Sequence, residues 1–163
     1  MKKNFFSIVV FVFLLGCSGF EFVYKDAVDV SKLKEKTSIS VGGDNPEIVY
    51  AHIINKIGRK DTDYNFELLV TSEKIVGAKV VKKDGTASKF DIKLIINYIL
   101  INTSNNCQIL SKEITTTSSY DSKSAGYSFG TDLSENKVLT QNIHSNIDEF
   151  LVYVVRSGID MAC

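Results

Sequence analysis

The sequence predicts an α+β domain, a four-stranded, mostly antiparallel sheet with two helices packed on one face, in the order β-α-β-β-β-α. Two long stretches that alternate apolar and polar residues flank an Asp-Gly turn, which is typical of a hairpin. Two other stretches repeat apolar residues at helical spacing. Packing both helical stripes against one face of the sheet is the simplest way to bury them.

The first strand and first helix are joined by a turn that contains a helix start signal. Thr37–Val41 is β-branched and alternates weakly, so it predicts a short strand that ends at Gly42-Gly43. Asn45 is a suitable N-cap, and Pro46 fits the first helical position. The apolar residues of this predicted helix share one face: Val49, Ile53 and Ile57.

The central hairpin begins at Tyr64 and alternates to about Val81, with a change of phase near Gly77 that suggests a bulge. Asp84-Gly85 predicts the turn. One face of the return strand is apolar throughout: Phe90, Ile92, Leu94, Ile96, Tyr98 and Leu100. The opposite face should be polar if it is solvated, yet it contains Ile95, Ile99 and Ile101. We therefore expect these isoleucines to face a partner, the alternative being cover by the chain's own tether or a loop.

The last predicted elements are a Thr- and Ser-rich strand from Gln108 to about Ser119 and a helix that starts near Asp132. A loop from Tyr120 to Thr131 joins them, and Tyr120 and Tyr127 could either contact a partner or clamp this loop. Glu135 is placed for a capping box with Asp132. The helix has an apolar stripe: Leu139, Ile143, Ile147, Phe150 or Leu151, and Val154.

The N-terminus predicts export and lipidation. Lys2 and Lys3 precede an apolar run that is too short to span a membrane, as in a secretory signal. The run ends in Leu14-Leu15-Gly16-Cys17, the pattern of a bacterial lipobox. We therefore expect residues 1–16 to be a signal peptide that is removed, and Cys17 to carry acyl chains. Residues 17–36 are predicted to form a lipidated tether and residues 37–163 a single domain.

Charge is unevenly distributed in the mature chain, which keeps 17 basic and 19 acidic residues after the signal is removed. The region from Lys74 to Lys93 has six lysines and two acidic residues. This basic zone is either an anion-binding surface or a solvated hairpin tip. The candidate anion-binding residues are Lys79, Lys82, Lys83, Lys89 and Lys93.

The sequence offers no catalytic motif, and we expect neither an enzyme nor a metal or cofactor site. The only histidines, His52 and His144, have no metal-ligand spacing and are interpreted as packed or surface residues on helices. Cys107 and Cys163 remain after Cys17 is acylated, and in an oxidising compartment they could form a disulfide.

The lipobox, the aromatic Phe22-Val23-Tyr24 segment, the long central hairpin and Ser118-Ser119-Tyr120-Asp121 before the last helix resemble the lipopolysaccharide-assembly lipoprotein family LptE, in its compact alphaproteobacterial form. The resemblance implies an outer-membrane lipoprotein, on the periplasmic side, that plugs the LptD β-barrel and assists lipopolysaccharide insertion. It further implies lipopolysaccharide, the barrel and the membrane as partners, and no nucleic acid. Ser18 after the lipidated cysteine favours the outer membrane.

Two other functions remain open at this level. The first is a different periplasmic adaptor lipoprotein, of the kind that activates peptidoglycan synthases or belongs to secretion systems. The second is an unrecognised hydrolase, for which the two histidines are the candidate residues.

Overall fold

The computed structural model describes residues 30–122, 128–158 and 161, with the backbone alone at residues 128–130. Its element order confirms the predicted α+β fold. The strands are β1 (Thr37–Gly43), β2 (Phe66–Val81), β3 (Ala87–Asn102) and β4 (Cys107–Asp121). The helices are α1 (Pro46–Ile57) and α2 (Ser128–Arg156). Within the described ranges, no helix is both long enough and apolar enough to cross a membrane.

The sheet has the strand order β1-β2-β3-β4, with β1 parallel to β2 and the other neighbours antiparallel. β1 has 7 residues and β2 has 16, so β1 pairs only with Phe66–Ser72. β1 ends at Gly43, whose φ is 88° and where an added Cβ would collide with the Ser72 carbonyl oxygen. A side chain there would clash with the β2 backbone, which is why this turn needs glycine.

A single core lies between the sheet and the two helices. The predicted stripes of α1 and α2 and the even-numbered apolar residues of β3 from Ile92 to Leu100 belong to it, and the partly buried Phe90 packs against it. Each such buried side chain contributes about 1.5–3 kcal/mol of hydrophobic free energy. Leu33 also belongs to this core and is 1% exposed, although the sequence assigns it to the tether. The packed part of the chain therefore begins ahead of β1.

The core contains a polar network that fixes α2 over the sheet. The Tyr98 ring stacks on Phe150 at 4.0 Å, and its hydroxyl donates to Asn146 Oδ1 at 2.8 Å. The Asn146 amide donates to the Ile114 carbonyl at 2.9 Å. Among the described residues, no buried side-chain nitrogen or oxygen lacks a hydrogen-bond partner. Because an unsatisfied buried group is costly, this network favours one position of the helix.

Two details of the predicted last loop and helix are wrong. α2 begins at Ser128, so Asp132 is inside the helix and cannot cap it. Tyr120 belongs to β4 and is 6% exposed, so it packs in the core. No acidic residue lies in the first turn of α2, so the Asp132 and Glu135 pattern marks an interior segment and not the helix start. Tyr127 lies outside the described residues.

Three other expectations need smaller corrections. β2 begins at Phe66, two residues after the predicted start. The register of the central hairpin shifts between Ala78 and Val80 and between Val80 and Val81, a little beyond Gly77. Asn45 occupies the N-cap position of α1, but its left-handed backbone conformation leaves the helix without a side-chain cap.

Candidate functional site

The candidate site is the face of the sheet opposite the helices, together with the β2–β3 turn. We call it the open face. It is formed by the odd-numbered residues of β2 up to the bulge, by those of β3, and by those of β4 from Ser111 to Asp121. The buried residues of both helices pack in the core on the other side of the sheet. Because cross-strand pairs share a face, the strand register shows which side chains are neighbours on it.

The apolar part of the open face surrounds the isoleucines that the sequence singled out. Ile95, Ile99 and Ile101 are each partly buried. Ile99 pairs with Leu69 across β2 and β3, and Ile95 pairs with Thr115 on β4. The tether that was predicted as possible cover spans residues 17–36. Its described part, residues 30–36, packs against the core through Val30 and Leu33, and residues 17–29 lie outside the described residues. The described residues therefore present a half-exposed apolar surface on a face without a helix.

The cationic part lies on the same face, nearer the β2–β3 turn. Lys79 Nζ lies 3.0 Å from Asp91 Oδ1 and donates to Ser119 Oγ at 3.1 Å. A hydrogen bond from the Ser119 hydroxyl lowers the pKa of Asp91, and Lys79 lowers it further. Lys93 is exposed between Ile75 on β2 and Thr117 on β4. Lys79 is thus neutralised locally, whereas no described acidic residue forms an ion pair with Lys93.

The β2–β3 turn contains Lys82 and Lys83, both exposed and without a described ion-pair partner. The predicted Asp-Gly turn is present, with the Gly85 amide donating to the Lys82 carbonyl at 3.0 Å. Hydrogen bonds from the Thr86 hydroxyl and amide lower the pKa of Asp84. A rigid turn therefore holds the two lysines at the end of the hairpin.

The five candidate lysines all lie near the β2–β3 end of the sheet, spread between the open face and the turn. Lys89 and Lys93 lie on β3, and Lys89 pairs in register with Asp121. Lys79 reaches the same face from the bulge, while Lys82 and Lys83 extend the charge to the turn. The open face is therefore cationic towards the β2–β3 turn and apolar towards the β3–β4 turn.

Sequence reasoning missed four exposed apolar side chains in the same hairpin. They are Ile75, Val76, Val80 and Val81, which are 40–58% exposed. They follow the part of β2 that pairs with β1. The sequence held one signal for them. The predicted first strand is much shorter than the predicted second, so the end of the second strand would lack a neighbour on that side.

A polar cluster joins the hairpin to α2 on the core side. Glu135 accepts from Lys74 Nζ at 3.2 Å and from the Tyr120 hydroxyl at 2.9 Å. Burial, with this bond to Glu135, raises the pKa of Tyr120 to about 12. Lys74, which is partly buried, is therefore occupied in the fold and is not available as a free cation.

His52 and His144 meet at the contact between α1 and α2. Their rings stack at 3.8 Å, and His52 Nε2 lies 3.3 Å from Asp148 Oδ1. Burial and the neighbouring His144 lower the pKa of His52, although Asp148 opposes this. The described residues contain no group of three or more His, Cys, Asp or Glu side chains able to hold a metal ion.

A groove of about 1010 Å³ opens where the described chain begins, at the β3–β4 end of the sheet. Its polar side chains are mostly used by the fold: the Thr103 hydroxyl contacts the Tyr64 and Asn65 carbonyls at 3.0 Å, and the Asn102 amide donates to Met161. Cys107, nearby in β4, is disulfide-bonded. Cys17 and Cys163 lie outside the described residues, so the pairing with Cys163 stays a prediction.

Several solved structures share this fold at low sequence identity. A Caulobacter crescentus lipoprotein superposes with a TM-score of 0.58 and 12% identity, covering 76% of this chain and 90% of that chain. The rare lipoprotein B of Shewanella oneidensis gives 0.55 and 8%, covering 74% and 95%. A minor lipoprotein of Acinetobacter baumannii gives 0.52 and 10%, covering 78% and 96%. No protein-family model and no curated protein sequence matches the chain. These similarities show a fold shared with bacterial lipoproteins.

Proposed function

We propose that this chain is an outer-membrane lipoprotein of the LptE type, anchored through acyl chains on Cys17. In this role it plugs an LptD-type β-barrel, helps the barrel to assemble and assists lipopolysaccharide insertion into the outer leaflet. It makes and breaks no bonds, and it needs no cofactor. The fold shared with rare lipoprotein B, which is LptE, supports the proposal.

The observation that carries the proposal is the division of the open face into a cationic part and an apolar part. Lys93 and Ile99 lie six residues apart on β3, which corresponds to about 20 Å along a strand. An anionic amphiphile with phosphate groups and acyl chains matches both parts. The lysines would pair with phosphates as point charges, and the isoleucines would contact acyl chains or the inner wall of the barrel.

The first experiment tests the barrel partner. The full chain, carrying a C-terminal tag, is purified from detergent-solubilised outer membranes, and the attached proteins are identified by mass spectrometry. Stoichiometric recovery of a large β-barrel protein is the expected result. Recovery of a penicillin-binding protein in place of the barrel would favour the alternative adaptor function, and loss of Cys17→Ser from the membrane fraction would confirm anchoring there.

The second experiment tests the cationic part of the open face. Lys79, Lys82, Lys83, Lys89 and Lys93 are changed to Gln, and binding of purified lipopolysaccharide is measured between low and physiological salt. We expect affinity to fall at least about tenfold at low salt, equivalent to ~1.4 kcal/mol, and less at higher ionic strength.

A matched control removes the same number of positive charges elsewhere. Lys32, Lys34, Lys36, Arg59 and Lys60 lie near the start of the described chain and at the end of α1. Their replacement by Gln should leave binding nearly unchanged. Equal losses in both variants would mean that overall charge, and not the open face, determines affinity.

A further inference from the structure

The distal half of β2 is an edge strand with unpaired backbone groups. β1 pairs with β2 only as far as Ser72, while β2 continues to Val81. Backbone N–H and C=O groups alternate sides along a strand. The Asp44 amide donates to the Ser72 carbonyl, and the Lys74 amide donates to Asp44 Oδ2, both at 2.8 Å. Even-numbered residues of β2 therefore direct these groups away from β3.

Beyond Lys74 this edge has no partner among the residues that the structure describes. The exposed groups are the Lys74 carbonyl, the amide and carbonyl of Val76, and the amide of Ala78. The bulge at Lys79 ends the regular ladder. Asp44 thus ends the pairing of β1 with β2. Beyond it, a short segment of β2 with regular strand geometry has an unpaired edge.

The side chains along this edge are unusually apolar for an exposed strand. Ile75 is 45% exposed and Val76 is 40% exposed, one on each face of the sheet. The other edge strand, β4, has no large apolar side chain among the exposed ones in the described chain. An added strand on β2 would cover both Ile75 and Val76, whereas one on β4 would cover Ser and Thr.

We infer that Lys74–Ala78 of β2 is a docking edge for one extended segment of the barrel partner, which adds to the sheet as a fifth strand in line with β1. This inference rests on the proposed function for the identity of the partner. The segment alternates apolar and polar residues, and its carboxylates lie at the end beside Lys82 and Lys83, which form no ion pair among the described residues. Asp84, in the same turn, interacts electrostatically with Lys82 and offsets only part of this positive charge.

Charge and backbone geometry favour a foreign strand over a second copy of this chain. A bulge and lysines on an edge are features that prevent a strand from pairing with its own copy. Lys79 forms that bulge here, and Lys82 and Lys83 follow it. An acidic segment is attracted by the same lysines, so the edge discriminates between the two occupants.

Photo-crosslinking in cells tests the edge in the full lipidated chain. A photoreactive amino acid is placed at Ile75 or Val76 and, as a control, at Thr115 or Thr117 on the exposed edge of β4. We expect crosslinks to the barrel protein from the β2 positions, at least fivefold above those from β4. Equal yields from both edges, or crosslinks between two copies of this chain, would overturn the inference.

A proline variant separates edge pairing from folding. Val76→Pro removes an amide that points away from β3, so the hairpin ladder stays intact, and Thr115→Pro makes the equivalent change on β4. Val76→Pro should abolish the crosslink from Ile75, whereas Thr115→Pro should not change it. A crosslink that persists in Val76→Pro contradicts strand addition.

Hydrogen exchange provides a readout that needs no variant. In the purified complex, the amides of Val76 and Ala78 should exchange at least tenfold more slowly than in the free chain. If the barrel co-purifies but these amides exchange at the same rate, strand addition is wrong and the proposed function stands. If no barrel co-purifies, both are wrong.

Discussion

The two ends of the sheet differ in how they are closed. At the β3–β4 end, Leu33 is 1% exposed, the Asn102 amide holds the Met161 carbonyl at 2.9 Å, and Cys107 is disulfide-bonded. At the β2–β3 end, Val81 is 58% exposed and the strand register is interrupted. The β3–β4 end therefore stabilises the fold, whereas the β2–β3 end has the features of a contact surface. Substitutions at the first end should change stability, and substitutions at the second should change binding.

The largest expected difference comes from matched truncations at the two ends. Leu33→Ala leaves a cavity in the core and should lower the free energy of unfolding by about 2–5 kcal/mol. Val81→Ala removes an exposed side chain and should change it by less than about 0.5 kcal/mol. Urea unfolding of the acyl-free chain measures both. Similar losses would show that the distal hairpin is as much part of the cooperative core as Leu33.

The disulfide of Cys107 should stabilise the closed end by a somewhat smaller amount. Reduction should lower the free energy of unfolding by about 2–4 kcal/mol, the range typical of a native disulfide. If the partner is Cys163, the variants Cys107→Ser and Cys163→Ser should be equally destabilised, and reduction should affect neither. Peptide mapping without reduction identifies the pair, and a linkage to any other residue would contradict this assignment.

The smallest of these effects is a pH dependence at the α1–α2 contact. The lowered pKa of His52 means that the unfolded chain binds a proton more readily than the folded chain. The free energy of unfolding should therefore be highest above about pH 7. It should fall as the pH decreases through the pKa of His52 in the unfolded chain, about 6.5, towards its lower pKa in the folded chain. Burial is the main cause of this lowered pKa, and the titratable and charged groups that face His52 are His144, Asp148 and Lys56.

Urea midpoints between pH 8 and pH 5 measure this dependence, with His52→Gln as the comparison. The variant should show a flatter profile over this range, because it removes the titrating group and keeps a polar side chain. A wild-type midpoint that rises on acidification would reverse the predicted sign. Val81→Ala should follow the wild-type profile, because it lies outside this contact.

Local pattern was sufficient to predict the fold, because each element has its own periodic signal. The alternation around Leu94 and Ile96 and the stripe through Leu139 and Ile143 indicate which faces are buried. The Asp84-Gly85 turn fixes the pairing of β2 with β3. The start of α2 was less predictable, since residues favourable near helix starts occur over several positions.

The candidate site was only partly predictable, because its remaining features depend on distant residues. The lysines and isoleucines are visible in the sequence, and the register places them on one face. The open edge arises because β1 stops at Gly43, where Asp44 takes over the last contacts with the backbone of Ser72 and Lys74. The stacking of His52 on His144 depends on the packing of two helices, which no local pattern specifies.

The burial of Leu33 also limits how far Cys17 can lie from the folded domain. Leu33 is sixteen residue steps from Cys17, with fifteen residues between them, so a fully stretched chain spans at most about 53–58 Å. If Cys17 is acylated as proposed, the domain moves and rotates within that radius of the bilayer and not beyond it. Shortening residues 18–32 one residue at a time would then measure how far from the bilayer the proposed partner is engaged.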